Sequence, residues 1–125
     1  MNNQEILNIV YPALMKQGTK SVTPPENKNV MARCLYRGPC GTKCAVGHLI
    51  PDYVQISAAE NSLPICDDSM NKLLRGVLGQ DTDFVFLKEC QYIHDNHDPE
   101  QWSDDFERLA SLNKLTLPQL IDTKA

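Results

Sequence analysis

Met70, Leu73, Leu74, Val77 and Leu78 stand at i, i+3, i+4, i+7 and i+8, and Gly79 follows them directly. That spacing lines one face of an α-helix with apolar side chains, and only burial against another element satisfies it. Two later windows repeat the demand. Residues 84–96 place Phe86, Cys90, Ile93 and His97 on one stripe, with Leu87 and His94 beside it. Residues 102–110 offer Trp102, Phe106, Leu109 and Ala110 as an inner face. Between them Asp98 and Gln101 have capping-box spacing, and Pro99 occupies the first helical position. Upstream, Ile6, Val10 and Leu14 predict a helix over 5–17 that Gly18 stops. Pro12 is expected to kink that helix or to move its start.

The middle of the chain reads differently. After the polar connection at 23–29, the run Val30-Met31-Ala32-Arg33-Cys34-Leu35-Tyr36-Arg37 is the best strand candidate. Pairing with Lys20-Ser21-Val22 would make a small hairpin. The turn Gly38-Pro39-Cys40-Gly41 then leads to Thr42 as a helix cap and to a short helix over 43–50, ended by Pro51. Asp52 with Gln55 and Ser57 with Glu60 predict short capped turns before Pro64. The expected fold is therefore α+β and mostly α: one domain over 1–125, four to six short helices and a small two-stranded β element. At 125 residues, one core buries about two-thirds of the unfolded surface, and two cores are out of reach. No apolar run approaches the roughly 20 residues of a membrane span. The start, MNNQEILNIV, lacks the basic and small-residue pattern of a signal peptide, so a cytosolic protein is expected.

Charge is unevenly spread. Residues 1–50 hold six Lys/Arg against two Glu, whereas residues 51–125 hold six against fourteen acidic residues. The net charge of −4 opposes general nucleic-acid binding through the phosphate backbone. Two solvated faces satisfy this distribution, and so do an anion pocket and an acidic face for a basic partner. The anion pocket would consist of Arg33, Arg37, Gly41, Thr42 and Lys43, where a glycine loop feeds a helix N-terminus. The spacing is not that of a P-loop. An anionic, nucleotide-like small molecule fits such a site. The acidic face, with Asp95, Asp98, Asp104 and Asp105 as its contacts, lies on helices interleaved with Phe84, Phe86, Tyr92 and Trp102 as core residues.

Five cysteines with no secretory start read as reduced thiols rather than a disulfide framework. Cys34, Cys40, Cys44 and His48 offer zinc-type donors, yet a second Cys pair is missing. The pair His94-Asp95 could ligate a divalent metal in a small hydrolase, although the distant ligands such sites need are absent. It equally suits a helix end, where His94 meets the negative pole. Catalysis by Cys40 or Cys44 lacks a marked orienting group. No cofactor and no catalytic residue is expected.

One resemblance bears on origin. The stretch Cys34-Leu35-Tyr36-Arg37-Gly38, then Gly41-Thr42-Lys43-Cys44-Ala45-Val46-Gly47-His48-Leu49-Ile50-Pro51-Asp52, resembles the core of a family of small proteins encoded by tailed bacteriophages and prophages. His94-Asp95, Trp102 and Leu109-Ala110 are similar to that family's C-terminal part. The chain departs from the pattern after Asp52, where Tyr53 follows directly and Glu60-Asn61 replaces an acidic-Gly pair. The resemblance implies a phage accessory gene acting in the host cytoplasm, and it implies no reaction. The expectation is a binding protein without catalysis that engages or inhibits a host or defence component.

Overall fold

A computed structural model of the protein describes residues 1–22 and 34–120. Helix α1 spans Asn3–Gln17. Asn2 Oδ1 accepts the Glu5 N–H at 2.8 Å and Glu5 Oε1 accepts the Asn2 N–H at 3.1 Å, so two donors that a helix start leaves open are satisfied reciprocally. Gly18 ends the helix at φ +70°, a left-handed conformation open to glycine. The helix runs continuously through Pro12. Ile6, Leu7, Val10, Tyr11 and Leu14 are buried on both sides of that proline, and their burial outweighs the one backbone bond it removes.

Helices α2 (Asp68–Leu78), α3 (Phe84–Asn96) and α4 (Trp102–Leu112) follow the sequence pattern closely. Asp67 caps α2 by accepting from Ser69 and Met70, and Asp83 caps α3 by accepting from Val85 and Phe86. Asp83→Ala should cost about 1 kcal/mol. A urea midpoint that falls with an unchanged slope would show it, and an unmoved midpoint would deny the cap any role. Asp98 and Gln101 form the expected capping box around a single 3₁₀ turn, Pro99–Gln101, that enters α4. Trp102, Phe106, Leu109 and Ala110 of α4 meet Phe86, Leu87, Cys90 and Ile93 of α3 and the buried face of α1 in one core.

The expected two-stranded element does not form among the described residues. Among the described residues the backbone forms four α-helices and no strand, so the fold is all-α rather than α+β. What remains of the hairpin is one isolated antiparallel bridge, Val22 with Cys34. The reason lies in the next donors. Leu35 N–H still bonds the Ser21 carbonyl, but Tyr36 N–H turns to the Asn61 carbonyl and Arg37 N–H to Asn61 Oδ1. A ladder cannot lengthen once its donors serve a different segment. Residues 30–33 of the strand reading, with Arg33, lie outside the described residues.

No α-helix forms over 43–50 either. The chain makes a 3₁₀ turn at Pro39–Gly41 and another at Val46–Leu49. Between them Thr42 Oγ1 donates to the Pro39 carbonyl instead of capping a helix. Cys44 N–H bonds the Leu35 carbonyl and Lys43 N–H bonds Gln17 Oε1. The Val46–Leu49 turn packs on α1 and α3, with Cys44, Ala45, Val46, Leu49 and Ile50 buried. Tyr36 is buried against this turn and its hydroxyl donates to the Leu63 carbonyl at 2.6 Å. Gly47 lies so close to the Tyr36 backbone that a Cβ there would overlap the Tyr36 carbonyl oxygen. The residues that carry the family resemblance thus hold a loop against the helices.

Candidate functional site

The basic loop uses its polar groups internally. Arg37 Nη2 donates to the Pro51 carbonyl at 2.9 Å, and Lys43 Nζ contacts Asp52 Oδ1 at 2.7 Å. The Lys43 ammonium holds the Asp52 carboxyl below its ordinary value. Gly38 N–H bonds the Thr42 carbonyl and Thr42 N–H the Pro39 carbonyl. Cys40 and Gly41 both adopt positive φ, at +58° and +76°, in an exposed turn. With no helix starting at Thr42, the dipole that the sequence reading placed behind Lys43 is absent among the described residues.

The zinc-type set divides. Cys34 is half-buried, Cys40 exposed and Cys44 buried, while His48 Nε2 sits 3.1 Å from Gln17 Oε1. Among the described residues the donors that converge are instead Cys34, His94 and Asp95, whose ligand atoms lie within 4.8 Å of one another. Sequence reading held Cys34 and the His94-Asp95 pair in separate candidates; the bridge at Val22–Cys34 brings them together.

The polarity around His94 decides what this cluster does. The ring is fully buried between Ser21 and Trp102, whose indole stacks on it at 5.7 Å and 24°. Ser21 N–H donates to His94 Nε2 at 3.0 Å, so that nitrogen carries no proton. The proton then resides on Nδ1 and is donated to Asp95 Oδ1, 2.8 Å away. A metal-ligating histidine normally offers its other nitrogen as a donor to an acceptor. Here the second partner is itself a donor, and both nitrogens are committed. The trio is a latch tying the Ser21 segment to the end of α3, and Gln91 Nε2 completes it by donating to Asp95 Oδ1 at 2.8 Å.

Cys34, Cys44, Cys90 and His48 are shifted toward their neutral forms. Burial pushes the Cys44 thiol up to about 12 and the Cys90 thiol likewise; Cys34 rises to about 12 through burial and the neighbouring Asp95 carboxylate. A thiol so raised is protonated near neutral pH and a poor nucleophile. Burial, with Lys43 nearby, lowers His48 to about 4 from its ordinary 6.5. Each shift sets a limit on stability. The unfolded chain takes up the His48 proton more readily, so stability declines as pH falls from 6.5 toward 4. The folded chain holds the thiol protons more tightly, so that contribution is complete below 9.0 and drains away as pH rises toward 12. Urea melts across this range should show a plateau between the two limits, and His48→Gln should flatten the acid side. An acid limb unchanged in that variant would assign the decline elsewhere.

The exposed side of α3 offers the most accessible geometry. Lys88, Gln91, Asp95 and Asn96 border a cavity of about 430 Å³ whose far wall is Tyr36 and Leu63 to Cys66. One step around the helix, Glu89, Ile93 and His97 border an apolar groove of about 210 Å³ closed by Leu109 and Leu112 of α4. Tyr92 lines both. It was expected in the core, yet it is 58% exposed, because it lies off the Phe86–Cys90–Ile93 stripe. Leu112 is 76% exposed.

The four acidic contacts are not equivalent. Asp104 is exposed, and Asp98 serves the capping box. Asp105 accepts from His97 Nδ1 at 2.6 Å and its side chain is only 11% exposed. Asp95 belongs to the latch while bordering the cavity. Tyr92 on α3 and Leu112 on α4, each off its helix's buried stripe, were the available signal for the groove; their partnership across the two helices is a matter of packing. No protein-family model, curated protein or solved structure matches the chain. No helix among the described residues is long and apolar enough to cross a membrane.

Proposed function

We propose that the protein is a phage-encoded accessory binding protein that engages a host or defence protein in the bacterial cytoplasm and performs no chemistry of its own. The observation that carries this reading is the acidic α3–α4 face, where exposed Tyr92 and Leu112 border an apolar groove. Exposed aromatic and aliphatic groups around a depression are what a docking surface needs at its centre. The motif similarity to phage and prophage proteins supports the origin and the compartment. Sequestering a nucleotide-like anion through Arg37, Gly41, Thr42 and Lys43 would require Arg37 and Lys43 to leave Pro51 and Asp52. A metal-dependent hydrolase at His94 and Asp95 would require His94 to give up a bond on one ring nitrogen.

The test is capture from a bacterial lysate by the tagged protein and by a Tyr92→Ala/Leu112→Glu variant with the same unfolding curve. The expected result is a host protein retained by the first and lost by the second. Identical captured sets, or none, would end the reading.

A further inference from the structure

We propose that the two depressions flanking Tyr92 form one docking site for a basic amphipathic segment of a partner protein, the cavity receiving an Arg or Lys side chain and the groove an apolar one. The inference rests on the binding reading above and adds the chemistry of what is bound.

The cavity suits a long cationic side chain. Its walls at Leu63, Pro64 and Ile65 are apolar and would cover methylenes, while the Asp95 carboxylate lies at its border with 29% of the side chain exposed. Asp95 Oδ1 already accepts from His94 and Gln91, but a carboxylate offers about four acceptor positions, enough for a charge-assisted bond from a guanidinium. The groove between Ile93, Leu109 and Leu112 accommodates one leucine- or phenylalanine-sized group. Because both depressions share Tyr92, one occupant crossing α3 there presents a side chain to each.

Charge selects the occupant. Glu89, Asp95, Asp104, Asp105 and Glu107 outnumber Lys88 and Arg108 on these two helices, and Asp98 and Glu100 lie in the turn between them. Such a field draws a basic segment and repels an acidic one. A second copy of this chain fits poorly: it carries a net charge of −4, and its Arg37 and Lys43 are engaged with Pro51 and Asp52.

The probe is a random peptide library panned against the full-length protein. Recovered peptides should pair an Arg or Lys with an apolar residue at one recurring spacing. Their affinity should fall at least tenfold for Leu112→Glu, whose side chain is exposed enough to leave the fold intact, and for Asp95→Asn if its melt is unchanged. Replacing the peptide's cation should cost no further affinity in the Asp95→Asn protein, the signature of a direct contact. An empty selection, acidic winners, or winners indifferent to Leu112→Glu would overturn the proposal. So would a concentration-dependent dimer that Leu112→Glu dissolves, because the face would then be a self-interface. If a host protein is captured through Tyr92 and Leu112 while the library fails, the docking chemistry falls and the binding reading stands. Failure of both removes both.

Discussion

Gly47→Ala is expected to destabilise the protein by about 3 kcal/mol or more, the upper range for forcing an atom into a packed interior. The added Cβ would overlap the Tyr36 carbonyl oxygen and lie 3.0 Å from its carbon, and that neighbour is backbone. Relief requires the Val46–Leu49 turn to lift away from Tyr36, which would loosen Cys44, Ala45 and Val46 from the core. In a chain this size such a loss lowers the melting midpoint by about 10 °C or more. Gly76→Ala is the natural control. Gly76 sits on the exposed side of α2 with nothing within 4 Å of an added Cβ. That change should stabilise by about 0.5–1 kcal/mol, the difference in helix propensity. Equal behaviour of the two variants would refute the contact between the turn and Tyr36.

His94→Ala should cost about 3–5 kcal/mol, from two sources. Ser21 N–H becomes a buried donor without a partner, worth about 1–3 kcal/mol, and the vacated ring space beside Trp102 forms a cavity. Asp95 also loses one of its donors. Thermal unfolding of the variant measures the loss, and the same experiment on the unaltered protein separates latch from metal site. Zinc in excess should leave its midpoint unmoved, since a ligand bound by the folded state alone would raise it. A zinc-dependent rise that disappears in His94→Ala would make Cys34, His94 and Asp95 a metal centre after all.

These two positions show how far the residues speak for themselves. The helices were legible because each carries an apolar stripe within about a dozen residues, with Gly18 and Gly79 marking two stops and Asp98–Gln101 one start. The Asp98–Gln101 box acts where its spacing placed it, while the Asp67 and Asp83 caps of α2 and α3 emerge only in the structure. The strand was misread for the opposite reason. Alternation over 30–37 describes what a segment tolerates, while pairing depends on which acceptors arrive beside it. Asn61 took the donors of Tyr36 and Arg37, and nothing local to either residue announces a partner more than twenty positions away. The loop cations suffered the same fate, since Arg37 and Lys43 met Pro51 and Asp52 before they could converge on a ligand.

By itself, then, the sequence determined the helical framework, the Asp98–Gln101 box and the chemical types available to a site: five cysteines, a His-Asp pair and an acidic C-terminal half. Periodicity and capping are short-range, and their free energies are expressed wherever the segment is folded. Tertiary structure alone decided that Cys34 joins His94 and Asp95, that Ser21 fixes the His94 tautomer, and that Tyr92 stands between a cavity and a groove. Each of those outcomes depends on long-range closure of the chain, where a hydrogen-bond donor goes to the acceptor that packing delivers rather than to the one its neighbours suggest.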